Sequence, residues 1–141
     1  MDQKRANSLV NKYLDDAIVF LGLEDWELRV DVVDSTPETN PNKDLGDCCA
    51  KREYRDAHIR IFYKENLTKS DLLDTLYHEL GHIFVSMYKG YEEVIEAYFE
   101  GDKQGRVFEE MYRQVDERAA SNMAKLIKRH FDAIKFDSHK K

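Results

Sequence analysis

The stretch Leu72-Leu73-Asp74-Thr75-Leu76-Tyr77-His78-Glu79-Leu80-Gly81-His82-Ile83-Phe84 sets two histidines four residues apart inside an otherwise apolar run. Leu72, Leu73, Leu76, Leu80, Ile83, Phe84 and Met87 recur at helical spacing, and Ser70 with Asp71 behind it supplies a start signal, so a mostly buried helix is expected from Ser70 to about Tyr88. Residues four apart on a helix share a face with β-carbons about 6 Å apart, which lets His78 and His82 offer ring nitrogens to one ion. Glu79 lies beside that pair, placed to take a proton from a water on the ion and pass it to a leaving amine. Gly81 would let another backbone, or a substrate, come close to the same face. The pattern arises by chance in roughly a few per thousand chains of this length, and two histidines and a glutamate in an apolar helix would be poorly solvated without a metal. Zinc is the expected ion.

Working outward, Leu9, Val10, Tyr13, Leu14, Ala17 and Leu21 repeat at three- and four-residue intervals and Gly22 follows, predicting a first helix with a glycine stop. From Trp26 the period changes to two, with Leu28, Val30 and Val32 alternating against Glu27, Arg29 and Asp31, as in a strand with one wet face that ends near Asp34. Ser35 to Asp47 is rich in turn formers and is expected to be a surface loop. Two further strands are predicted, about Cys49 to Tyr54 and about Ala57 to Tyr63, joined by a tight turn at Arg55-Asp56. Beyond the histidine helix, a short helix is expected over Glu92 to Phe99, a break over Gly101 to Gly105, and a long helix from about Val107 to Phe131. The order predicts an α+β fold in one domain over residues 1–141: a small, twisted three-stranded sheet packed on the histidine helix, with the long C-terminal helix closing the site.

Composition narrows the function. Of 141 residues, 42% are hydrophobic and 35% charged, with only 6 Gly and 2 Pro, which fits a folded chain rich in regular structure. The formal charge of −6 and the absence of a basic patch argue against nucleic acid as a partner. No apolar run reaches the roughly 20 residues that span a bilayer, and the first residues have no signal-peptide core, so the expected location is the cytoplasm with no membrane partner. Cys48 and Cys49 are adjacent and suit one buried and one partly exposed thiol better than a disulfide or a structural zinc site.

A catalytic zinc takes a third protein ligand and keeps a position for water. Glu117 on the last helix is the leading candidate and Asp116 the alternative, because Asp116 lies nearer the apolar stripe Phe108, Met111, Tyr112, Val115, Ala119 and Leu126, which faces about half a turn away from Glu117. That pattern would require the helix to be buried on two sides. Glu96 and Glu100 are better placed on the outer face of the short helix. As oxyanion stabilisers Tyr88, Tyr91, Tyr98, Tyr112, Arg113 and His58 are all candidates, while His130 and His139 lie in a basic tail.

The segment Asp74 to Ile83 resembles the active helix of zincin-like metallopeptidases, and Glu117-Arg118-Ala119-Ala120-Ser121-Asn122-Met123-Ala124 resembles the second motif of their gluzincin branch. The likeness covers about residues 57–131 and is greatest to the minimal cytosolic members of phages and mobile elements, among them peptidases that cleave repressor proteins. It implies zinc held by His78, His82 and Glu117, Glu79 as the general base, and a protein or peptide substrate. Two positions depart from it: Ser121 stands where the family has Asp or Asn to orient a zinc-bound histidine, and Met123 replaces an aromatic. On the peptidase reading, the strand about Ala57 to Tyr63, if at the sheet edge, would pair with an extended substrate. The alternative is a zinc-stabilised interaction module of a phage or mobile element that cuts nothing.

Overall fold

The computed structural model describes the backbone of residues 1–87 and 103–139, with side chains described for 1–87, 110, 111 and 113–134. Over these residues the fold is α+β, with three helices and a small mixed sheet of three strands. The predicted helix over Glu92 to Phe99, and with it Glu96, Glu100, Tyr88, Tyr91 and Tyr98, lies outside the described residues.

Helix α1, Gln3–Leu21, begins where the Asp2 side chain accepts a hydrogen bond from the Arg5 backbone N–H and ends at Gly22, whose φ of 68° lets its N–H reach the Ile18 and Val19 carbonyls. Strand β1, Glu27–Val33, follows Trp26. Strand β2 is Gly46–Lys51, three residues earlier at each end than the expected Cys49 to Tyr54, and residues Arg52–Tyr54 form a turn of 3-10 helix with Arg55 in the left-handed region. The shift has a packing cause. A side chain at residue 46 would sit 2.8 Å from Thr75 Cγ2 and 3.0 Å from the Arg60 carbonyl, so Gly46 serves as the point where the strand can lie against a helix rather than as a turn former.

Strand β3, Asp56–Phe62, is the middle strand: it pairs parallel with β1, from Glu27↔Asp56 to Val33↔Phe62, and antiparallel with β2, from Gly46↔Ile61 to Lys51↔Asp56. Ala57, Ile59 and Ile61 face the core. Because both its edges are occupied, this strand cannot pair with a substrate, contrary to the expectation for residues 57–63; β2 is the edge strand beside the helix that carries the histidines.

Helix α2, Lys69–Ser86, is capped two residues earlier than an N-cap at Ser70 would place it. Thr68 is the cap: its hydroxyl accepts from the Asp71 N–H at 3.1 Å while the Asp71 carboxylate accepts from the Thr68 N–H at 3.0 Å. Leu72, Leu76, Tyr77, Leu80 and Ile83 are buried against α1 and the sheet. Helix α3, Lys103–His139, is longer at both ends than expected. A single glycine at position 105 costs about 1 kcal/mol and does not break a helix otherwise made of good formers, and no glycine or proline follows Phe131 to stop it.

The stripe Met111, Val115 and Leu126 is not buried: these side chains are 54%, 55% and 50% exposed. Helix α3 instead turns its small face inward, with Ala120 and Ile127 fully buried and Met123, Ala124 and Phe131 packed on the core. Gly81 explains the choice. A β-carbon there would lie 2.8 Å from the Ala120 carbonyl oxygen and 3.1 Å from its Cα, so the two helix backbones touch where neither side chain intervenes. Gly81→Ala would gain up to about 1 kcal/mol of helix propensity but must push backbone from backbone, at a cost of about 1–3 kcal/mol. We expect a net loss of stability in urea unfolding of the metal-free protein; an unchanged or higher midpoint would refute the close contact.

Candidate metal centre

The site is assembled by that helix crossing. Along α2, His78 and His82 lie on the face turned to α3, and the approach at Ala120 brings Asp116, Glu117 and Ser121 over them. His78 Nε2 lies 3.2 Å from one Glu117 carboxylate oxygen, His82 Nε2 lies 3.3 Å from the other, and the two Nε2 atoms are 3.1 Å apart. Ligand atoms about 2.0–2.1 Å from a tetrahedral zinc are separated from one another by about 3.3 Å, so the spacing of this donor set suits one such ion. His78, His82 and Glu117 thus form a group that could hold a metal ion, and no other group of three among the described residues brings its donor atoms so close together.

The outward-facing ring nitrogens are also engaged. Ser121 Oγ is 3.3 Å from His78 Nδ1, and an Asp116 carboxylate oxygen is 3.4 Å from His82 Nδ1. Each contact orients an imidazole so that Nε2 points to the common centre. This separates the two acidic candidates: Glu117 converges with the Nε2 atoms, whereas Asp116 sits behind His82. Sequence periodicity had favoured Asp116 because the apolar stripe was assigned to the core, which the burial of Ala120 and Ile127 reverses.

Glu79 is 6% exposed, opens into the cleft and accepts no hydrogen bond from a described residue. Burial, reinforced by the charges of Glu117, Asp47 and Asp44, pushes its carboxyl up to about 8. His78 is held below its ordinary value of 6.5 by burial and by His82. These shifts act oppositely on stability. Between its ordinary value of 4.5 and about 8, Glu79 keeps in the folded state a proton that the unfolded chain has released, so the metal-free protein loses stability as pH rises through that window. His78 must shed a proton to fold, so its contribution is lost as pH falls through its ordinary 6.5. Glu79→Gln should therefore flatten the decline of metal-free stability between about pH 5 and pH 8, a difference of a few kcal/mol; parallel curves for the two proteins would show that Glu79 ionises normally.

The cleft has a volume of about 800 Å³ and runs between β2 with its preceding loop and the α2 face, with Asp116 and Glu117 at the α3 side. Its rim is held by two buried asparagines that nothing in the sequence pattern marked. Asn66 donates to the Leu45 and Phe62 carbonyls and accepts from Thr75 Oγ1 at 2.7 Å, tying the loop before β2 to α2. Asn40 donates to the Asp44 carbonyl and accepts from the Asp44 N–H, both at 2.9 Å. The expected surface loop of residues 35–47 is mostly exposed, but its end, Asp44 and Leu45, lines the cleft and Gly46 and Asp47 belong to β2.

Cys48 faces the cleft, half-buried, and Cys49 faces away, exposed; both are free. Burial and the neighbouring Glu79 push the Cys48 thiol up to about 12, which keeps it neutral. Of the other candidates, His58 lies on the opposite face of the sheet with its Nε2 2.8 Å from Asp31, Arg113 is exposed and bound to Glu110, and His130 stacks on Phe20. None of these lines the cleft. Among the described residues no helix is long and apolar enough to cross a membrane. No protein family matches the chain, and no curated protein or solved structure matches it.

Proposed function

We propose that the protein is a zinc-dependent peptidase with a zincin-like site, hydrolysing peptide bonds of a protein substrate. One observation carries this reading: the Nε2 atoms of His78 and His82 converge with the Glu117 carboxylate beside a buried carboxylate, Glu79, that metal binding does not require. His78, His82 and Glu117 would hold the ion, with Ser121 and Asp116 fixing the imidazoles. Bound there, zinc would polarise the scissile carbonyl and acidify a water. Glu79, buried beside the site and ionised once a cation lies next to it, takes the proton from the attacking water at a carboxylate oxygen and delivers it to the departing amine. The outer edge of β2, which has no strand beside it among the described residues, offers backbone groups to an extended substrate.

A second reading is a zinc-stabilised module that binds a partner without cutting it. It is favoured by one feature: no tyrosine, lysine or arginine is among the described residues lining the cleft, so none of the described side chains of those types stands ready to stabilise an oxyanion. The deciding experiment loads purified protein with zinc, measures metal by elemental analysis, and maps new termini in an unfolded protein mixture by mass spectrometry. About one zinc per chain and cleavage that a chelator stops and zinc restores support the peptidase. One zinc without cleavage supports the module, and no zinc sinks both.

A further inference from the structure

The cleft carries a charge pattern that the zinc chemistry does not use. Besides Glu79 and Glu117, its lining includes Asp44, Asp47, Asp71, Asp74 and Asp116, and no lysine or arginine among the described residues. Several of these carboxylates have other duties. Asp47 is paired with Arg60 on the outer face of the sheet, Asp116 faces His82, and Asp71 completes the cap of α2. Asp44 and Asp74 differ. The Asp44 backbone is bound by Asn40, yet no described cation pairs with its carboxylate. Asp74 is 56% exposed and meets only Lys128, itself 44% exposed, at 3.2 Å, a surface pair of the kind that solvent largely screens.

These acids do not form a second metal site, because no described group besides His78, His82 and Glu117 brings three ligand atoms close enough to share an ion. Nor is the cleft a closed structural void. Glu79 opens into it, more than nine-tenths buried and with no hydrogen-bond donor from the described residues, which marks the cavity as one that receives a ligand. Its volume of about 800 Å³ is within the range that encloses a ligand the size of several side chains.

We propose that this cleft selects peptide segments bearing lysine or arginine close to the cut, recognised by Asp74 on α2 and by Asp44 on the facing rim, with Asp71 adding to the field. The inference rests on the peptidase reading and names its substrate class. Position follows from helix geometry. Asp74 and Asp71 lie one and two turns before His78, about 6 Å and about 10 Å along the helix axis. An extended peptide advances about 3.3 Å per residue, so a basic side chain two or three residues from the scissile bond meets these carboxylates. Coulombic attraction in a partly enclosed cleft acts on encounter as well as on binding, and weakens with salt.

The test uses the full zinc-loaded chain and a peptide library in which each position near a central bond is Lys, Arg, Ala, Glu or Asp, with cleavage read by mass spectrometry. Labelled basic and acidic peptides are also titrated by fluorescence anisotropy into the wild-type and Glu79→Gln proteins. Lys or Arg two or three residues from the cut should be favoured over Glu or Asp by about tenfold or more at low salt, with the preference shrinking as salt rises. Asp44→Lys with Asp74→Lys, both at exposed positions and checked for folding by circular dichroism, should abolish or invert the preference in both assays. Cleavage without a basic preference, or a preference that survives the double reversal, overturns the selectivity while leaving the peptidase intact. If nothing is cut but basic peptides bind preferentially and the reversal removes this, the recognition surface stands and the peptidase reading falls. Neither cleavage nor preferential binding overturns both.

Discussion

Zinc-loaded protein carrying Glu79→Gln should keep its fold and its metal while cleaving peptides at least about 100-fold more slowly than wild type. Glutamine preserves the size of the side chain and its place in the buried wall of the cleft, and it removes the atom pair that moves the proton. Because Glu79 is not among the converging donor atoms, zinc content should stay at about one per chain. The wild-type carboxyl, pushed up to about 8 in the metal-free protein, is costly to ionise where it sits, and its neutral replacement should not destabilise the fold near pH 7. The variant should also trap substrate. Proteins captured by Glu79→Gln and then offered to wild type should be cut in the presence of zinc. If wild type and variant bind the same partners equally and neither cuts them, Glu79 has no general-base role and the interaction module is the better description.

Replacing both His78 and His82 with alanine should abolish stoichiometric zinc binding, with the loss of any zinc-dependent rise in melting temperature, since an ion that binds only the folded state stabilises it by mass action. Single changes rank the acids. Glu117→Ala removes a converging ligand and should weaken zinc binding by more than the roughly 10- to 100-fold typical of residues that orient a ligand, whereas Asp116→Ala, behind His82, should remain inside that range. Ser121→Ala should resemble Asp116→Ala, because it frees only the far nitrogen of His78. Competition with a chromogenic chelator gives the affinities. Full zinc retention by the double histidine variant would remove the site assignment altogether, and a larger loss at Asp116 than at Glu117 would exchange their roles.

The elements that were legible share one property: their signal is local. The period of α1 and its Gly22 stop, the alternation of β1 and β3, and the four-residue spacing of His78 and His82 each follow from how neighbouring residues project from one element. Glu117 stood ahead of Asp116 with support from its likeness to a motif, whereas periodicity alone pointed at Asp116. The apolar stripe on α3 misled because hydrophobic spacing shows which residues share a helix face, but not which face a partner will cover. Residues 52–54 misled for a related reason, since nothing in their own sequence marks the point where pairing with β3 stops.

The amino-acid sequence by itself determined that an apolar helix carries two histidines able to share an ion, with a glutamate beside them, in a chain of mixed helix and strand. Tertiary packing decided the rest. Gly81 against Ala120 set the depth at which α3 crosses α2, and so put Glu117 on the Nε2 atoms and Asp116 and Ser121 behind the rings. Gly46 against Thr75 laid β2 beside the cleft, and the buried Asn40 and Asn66 folded the end of the preceding loop into its wall. Contacts of this kind join residues tens of positions apart through the space left by a missing side chain or through one saturated amide. They leave no period in the sequence, because what matters is whether two surfaces can meet, and that depends on both.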